Sequence, residues 1–358
     1  MSSGKSIIDH LLEVESSLNV RMNLPLIEPR SFISWQGINL ISEGTLITIQ
    51  GKSGSHKSRL AQEIATVLLA PNTTTPTSLG MFRVDEEPIM VAYLDTERNS
   101  GYELPFALKS ISKASGISTP NPLFRCTSLR DLPRKKRRQA SGLFLDHLRK
   151  EHSGKLCVIV DVATDISQDF NSVVETLEVL DQLKFWMNEY NCAVIVVIHE
   201  NPGSEKMRGH LGTEFLNKAS DAISIKLEKD DSIEIKFEKC RNYKRPKKLD
   251  AYYNEASCRL EKLCTGFTGE SQDIQVKFEN LLAELFKAKP EYSKAELVQI
   301  GKDRLGRKKD SIEDYIKAVK TLSIDGLEFE LNRELEGKEA IYRLIPTIGN
   351  TEPKVALG

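Results

Sequence analysis

Short apolar runs alternate along this chain with longer segments in which apolar residues recur every three or four positions. Thr45–Gln50, Ile89–Leu94, Lys155–Asp161 and Ala193–His199 are rich in β-branched residues and bounded by polar turns. Such runs predict strands buried on both faces. Leu123–Thr127 is a shorter run of the same kind. Helical spacing marks the segment from Arg59 onward, where Leu60, Ile64, Val67 and Leu68 share a side, and segments near 102–115, 137–151 and 171–190. The alternation predicts right-handed βαβ crossovers, and so an α/β fold with a doubly wound, mostly parallel sheet.

The pattern changes after Asp221. Ala222–Glu228 and Ser232–Glu238 alternate apolar and polar residues around Asp230-Asp231, a hairpin signal that predicts an antiparallel extension of the sheet. Tyr252–Leu260 predicts one more strand. Helical segments follow at Val276–Ala288, Lys294–Gly301 and Ser311–Leu322, then two strands, Leu327–Leu331 and Ala340–Leu344. Three helices and a β-ribbon outline a small α+β, winged-helix-like domain. The N-terminal residues form an amphipathic helix with Ile7, Ile8, Leu11, Leu12 and Val14 on one side. It either caps its own domain or docks on a neighbouring subunit. Residues 22–40, with their prolines and Trp35, lead into the first strand, and Pro71–Glu87 is a polar loop. The expected organisation is an N-terminal helix (1–25), an α/β domain (26–265), a linker (266–274), the small domain (275–346) and a flexible tail (347–358).

Composition narrows this little. With 40% hydrophobic and 28% charged residues, the 358-residue chain is an ordinary globular protein. A net charge of −1 gives no global attraction to nucleic acid, so any must come from local patches. The six cysteines form no C-x-x-C pair, and Cys157 and Cys192 sit in apolar runs as buried thiols, which fits a reducing cytoplasm. No signal-peptide core and no stretch of 18 apolar residues is present, so a membrane span is not expected.

The chemistry gathers where a strand gives way to a helix. Gly51-Lys52-Ser53-Gly54-Ser55-His56-Lys57-Ser58 follows the pattern G-x-x-x-x-G-K-[ST], with His56 in place of the second glycine. Backbone N–H groups at such a turn lack intrahelical partners and sit at the positive end of the helix dipole. Residues 51–59, from Gly51 through Arg59, are therefore the candidate nucleotide-binding segment. Lys57 would reach the β- and γ-phosphates, and Ser58 would ligate Mg²⁺. Asp161 closes an apolar strand as a Walker B aspartate does, the second candidate Mg²⁺ ligand; the alternative is an aspartate capping a loop. Glu97, just after Ile89–Leu94, is a candidate base for the attacking water, against the plainer reading of a surface glutamate near a helix start.

Leu94-Asp95-Thr96-Glu97 with Val158-Ile159-Val160-Asp161 resembles the RecA-type ATPase core. Val197–Asn201, Lys206–His210 and Thr213–Asp221 are similar to that class's sensor strand and mobile loop, in the form found in RepA-like hexameric plasmid helicases. Lys236–Asn242 resembles the K-x-R-N signature of DnaB-type helicases. The resemblance covers about residues 30–262. It implies ATP and Mg²⁺ as cofactors, a γ-phosphate sensor at His199, and Lys239 and Arg241 acting in the neighbouring subunit's site. It further implies a homo-oligomer, as a hexameric ring, with Lys206 and Arg208 contacting single-stranded DNA, and replication or recombination proteins as partners. The expected function is a motor or accessory ATPase in plasmid replication, repair or mobile-element transfer. The rival is a docking module or regulator that binds nucleotide weakly and works through its C-terminal domain.

Overall fold

The computed structural model describes residues 6–25, 31–71, 77, 79–263, 269–324, 327–336 and 339–346. The chain opens with α1 (Ile7–Met22), whose N-terminus is closed by a capping box between Ser6 and Asp9. None of its residues is buried: Ile7, Leu11 and Leu18 stand 75%, 55% and 54% exposed. The helix is therefore not seated on its own domain among the described residues.

The strands β1 (Ser31–Trp35), β2 (Ile38–Ser42), β3 (Leu46–Gly51), β4 (Met81–Arg83), β5 (Ile89–Asp95), β6 (Phe124–Ser128), β7 (Lys155–Asp161), β8 (Ala193–His199), β9 (Asp221–Leu227), β10 (Ile233–Cys240), β11 (Leu249–Asn254) and β12 (Arg259–Lys262) build two sheets. The large one runs β12-β11-β10-β9-β3-β8-β7-β5-β6. Pairing is parallel from β9 to β6 and antiparallel from β9 to β12. The fold is thus α/β, with a mostly parallel sheet and an antiparallel extension. The small sheet, β2-β1-β4, falls where a lead-in and a polar loop were expected. Its strands are short and interrupted by bulges, so period-two alternation is broken there. Trp35 anchors it, with its ring 5.4 Å from that of Phe237 and its indole N–H donating to Leu79 O. The segment read as one strand at Tyr252–Leu260 is instead the hairpin β11–β12.

Helices α2 (Lys57–Leu69), α3 (Glu103–Ser115), α4 (Arg134–Glu151), α5 (Val173–Glu189) and α6 (Gly209–Lys218) complete the crossovers. Successive residues of β5 serve opposite cores: Ile89, Val91 and Tyr93 pack with Leu60, Ile64 and Leu68 of α2, whereas Met90, Ala92 and Leu94 pack with Leu145, Leu148, Leu180 and Leu183 of α4 and α5. Each such fully buried aliphatic side chain contributes about 2 kcal/mol. The basic run Arg134–Arg138 is the first turn of α4. Arg134 and Arg137 bond Asp165 there, and Arg138 bonds Glu178.

The C-terminal unit comprises α7 (Gly269–Ala288), β13 (Glu291–Ser293), α8 (Lys294–Leu305), α9 (Lys309–Ala318), β14 (Thr321–Ile324), β15 (Leu327–Glu336) and β16 (Glu339–Pro346), with sheet order β13-β16-β15-β14. Its own core centres on Phe278, Leu282, Leu297, Ile312 and Ile316. α7 begins inside the stretch expected to be linker, and the last helix stops at Ala318 with β14 following, where a helix was expected to continue to Leu322. Tail residues 347–358 lie outside the described residues. No helix among the described residues is long and apolar enough to cross a membrane.

Candidate functional site

Parallel register brings the chemistry together. Gly51 pairs with His199, Asp95 with Asp161, and Asp161 with Val197, so the polar ends of β3, β8, β7 and β5 lie along one edge. Ligands bind at such carboxyl ends in open α/β sheets. A cavity of 450 Å³ opens there, lined by residues of the loop after β3 (Ser53, Gly54, His56), by Lys57 and Ser58, and by Glu97 and His199.

The loop's backbone is specified residue by residue. A Cβ on Gly51 would stand 2.3 Å from Ile225 O, so only glycine fits against β9. Gly54 has φ +79°, a left-handed conformation that glycine adopts freely. His56 also has φ 69° and occupies the N-cap of α2. The position demands a left-handed residue, which explains glycine as the usual choice; histidine is among the residues that tolerate that region best. The imidazole stacks on Tyr253 of β11, with centroids 5.6 Å apart at 21°. Arg59 lies over the same ring at 3.2 Å and places Nη1 2.6 Å from His56 Nδ1. Burial, and then the charge of Arg59, lower the His56 pKa to about 4. The ring is thus neutral near pH 7, with Nδ1 free to accept from the guanidinium.

Leu60 N–H is the first to close on α2, bonding His56 O, which leaves Lys57, Ser58 and Arg59 N–H without intrahelical partners. Lys57 is only 5% exposed, and Nζ donates to Lys52 O at 2.6 Å. Burial lowers its pKa, opposed by Glu97, Asp161 and Glu200. A buried ammonium with one carbonyl partner and a row of unpaired N–H groups is a donor set suited to a polyphosphate.

Ser58 Oγ donates to Asp161 Oδ1 at 2.8 Å. Asp161 Oδ2 accepts from Tyr93 OH at 2.7 Å and from Arg98 Nη1 at 3.0 Å. Arg98 also bonds Asp95, whose carboxyl burial pushes up to about 6 against the pull of that guanidinium. A hydroxyl and a carboxylate in contact suit Mg²⁺, which takes one or two protein oxygens together with phosphate and water. No larger group of metal-ligating side chains occurs among the described residues. Glu97 Oε1 lies 3.0 Å from His199 Nε2. That hydrogen bond, above all, holds the Glu97 carboxyl below its ordinary range.

The remaining expected residues lie elsewhere in this subunit. Lys239 Nζ donates to Leu216 O and Asn217 O, both at 2.9 Å, at the C-terminal end of α6. A bulge interrupts β10 before Lys239, and Arg241 lies beyond the strand's end, exposed. Lys206 and Arg208 are exposed on the loop between β8 and α6, with Arg208 4.8 Å over the Phe170 ring. Gln50 ties that loop to β3 by donating to Glu200 Oε1 and Glu205 O, both at 2.9 Å. Sequence reasoning missed Tyr93, Arg98 and Tyr253. Arg98 carried a faint signal, a cation directly after the candidate base; Tyr253 carried none, because only the fold brings it to His56.

No family model matches the chain, and no curated protein matches it. Among solved structures, it is similar to a KaiC-like protein from Pyrococcus horikoshii OT3, at 15% identity over 66% of this chain and 100% of that one, with a TM-score of 0.46. It is also similar to the RadB recombinase, at 16% identity over 62% of this chain and 92% of that one, with a TM-score of 0.44.

Proposed function

We propose that this chain is a RecA-like ATPase that binds ATP with Mg²⁺ at the loop Gly51–Ser58 and hydrolyses it. The observation that carries the reading is the buried Lys57 beside the Ser58–Asp161 contact, with Glu97 lining the same cavity. Lys57 and the N–H groups at the start of α2 bind and orient the phosphates. Ser58 and Asp161 hold the metal, which supplies positive charge to the phosphate oxygens when bound. Glu97 accepts a proton from the attacking water, and His199 fixes the carboxylate by its hydrogen bond. The stack of His56, Arg59 and Tyr253 walls the cavity on the hairpin side.

In this reading the work is done on DNA, in replication, repair or mobile-element transfer. Copies assemble head to tail, Lys239 and Arg241 reach a neighbour's site, and Lys206 and Arg208 meet the phosphate backbone. Gln50 supports a link between site and loop, since it bonds the loop from the strand that ends at Gly51. The exposed apolar stripe of α1 supports assembly. The C-terminal unit is read here as winged-helix-like, a reading supported by its order of helix, short strand, two helices and strands.

A second reading, a module that holds nucleotide weakly and works by docking, is favoured by one observation: Arg98 places a cation on Asp161, where a metal would compete with it. ATP hydrolysis measured with and without single-stranded DNA separates the two. Turnover that rises with DNA and vanishes in Glu97→Gln supports the motor; absence of turnover under all conditions supports the docking module.

A further inference from the structure

Strands β10 and β11 are joined by the loop Arg241-Asn242-Tyr243-Lys244-Arg245-Pro246-Lys247-Lys248, which holds five cations in eight residues and no carboxylate. In a chain of net charge −1, that is a strong local segregation of charge. Register fixes its place: Cys240 pairs with Asp221 at the start of β9, and Asp221 pairs with Ile47 near the start of β3. The loop therefore leaves the sheet at the amino edge of the parallel strands, opposite the edge that carries the nucleotide cavity. Lysines on the strands around it are paired: Lys226 with Glu228, Lys236 with Glu238, and Lys248, at the loop's end, with Glu234 and Asp250. Arg241, Lys244, Arg245 and Lys247 are exposed and make no ion pair among the described residues. Arg241 N–H donates to Ser220 O, which holds the start of the loop beside the end of α6 and its exposed Lys218. Burial, then Arg241, and also Lys218 push the Lys239 pKa down there, against the pull of the buried Asp221. Among these cations Tyr243 stands 39% exposed, and its ring stacks on no other ring among the described residues.

We infer that this loop is a binding site for single-stranded nucleic acid, with Lys244, Arg245 and Lys247 on the phosphates and a base stacked on Tyr243. Unpaired like charges repel one another, so an anionic partner stabilises the loop. Cations around an open aromatic ring match a strand that offers a charged backbone and unstacked bases. An acidic protein would need an apolar anchor seated in a pocket, and the loop's only apolar surface is Tyr243 and Pro246. A duplex is read by a helix or β-ribbon laid in a groove, and neither element is present in this loop. The site is separate from Lys206 and Arg208, whose loop follows β8 at the opposite edge of the sheet. It rests neither on their contacts nor on ATP hydrolysis.

Fluorescence anisotropy of labelled oligothymidine tests the inference, on the full native chain, on the exposed triple variant K244A/R245A/K247A and on Tyr243→Ala. The native chain is expected to bind. The triple variant should lose at least about tenfold at low salt, and its log–log salt slope should be shallower by about 2, since three phosphate contacts are removed. Tyr243→Ala should lose at least about fivefold with the slope unchanged, and Tyr243→Phe, which keeps the ring, should bind as the native chain does. Unchanged thermal denaturation reports intact folding in each variant. The inference is overturned if oligothymidine does not bind, if the triple variant keeps the native affinity and slope, if Tyr243→Ala binds like the native chain, or if a duplex of the same length binds as tightly. It is also overturned if the triple variant loses nucleotide binding while holding oligothymidine, which would set the loop against a neighbour's nucleotide instead.

Discussion

Arg98 reaches across from the end of β5 to Asp161 on β7, Nη1 to Oδ2 at 3.0 Å, while also bonding the fully buried Asp95. One guanidinium thus bonds two carboxylates at the centre of the site. Arg98→Ala leaves Asp95 buried and unpaired, and should destabilise the fold by about 3–5 kcal/mol. Urea denaturation measures it. Arg98→Lys, which keeps the charge but loses the two-sided geometry, should recover part of that loss.

Glu97→Gln keeps the size and the capacity to accept from His199 but removes the base. Turnover should fall by about a hundredfold or more while nucleotide affinity holds; equal losses in both would assign Glu97 to binding instead. The carboxyl also has a pH signature. Its folded pKa lies below the ordinary 4.5, so its stabilising contribution is present above that pH and is lost as pH falls through the folded value. Below pH 4.5 the native chain should lose stability faster than Glu97→Gln, as thermal denaturation across that range would register.

How much of this was legible in the sequence differs by residue. The strands ending at Gly51, Asp161 and His199 were legible because burial on both faces leaves long β-branched runs. The placing of Lys57, Ser58 and Glu97 in one cavity followed from sheet topology. The β1–β2–β4 sheet was hidden by its bulges, and the second strand of the β11–β12 hairpin by a turn in which Cys258 takes φ 56°. Arg98 was hidden for another reason: its importance lies in Asp95 and Asp161 being register partners, a non-local fact that no spacing in the chain expresses.

The histidine in the phosphate loop was the irregular feature of the motif, and its geometry gives it a definite effect. His56 turns onto Tyr253 and Arg59, so His56→Gly should relieve a left-handed strain of about 1 kcal/mol. It also removes the stack on the β11–β12 hairpin. ATP affinity should change by less than about threefold, since the side chain turns onto Tyr253 and Arg59 and makes no hydrogen bond to Lys57 or Ser58. A gain of about a hundredfold would mean that the imidazole obstructs the phosphates.

Exposed leucines on α1 predict an assembly effect. Leu11→Glu with Leu18→Glu puts charge on a stripe with no partner among the described residues of its own subunit, so the monomer's stability should hold within about 0.5 kcal/mol. Light scattering with a non-hydrolysable ATP analogue should then show the native chain as an oligomer and the variant as smaller species. Identical masses would remove α1 from the interface.

The central claim is that Gly51–Ser58 binds ATP with Mg²⁺ through Lys57, and calorimetric titration of the native chain and Lys57→Ala tests it most directly. The account predicts saturable binding to the native chain at one site per subunit, and a loss of at least about tenfold in Lys57→Ala, since the ammonium contributes a charge-assisted bond in a buried site. Absence of binding to the native chain, or equal affinity in the variant, would contradict it.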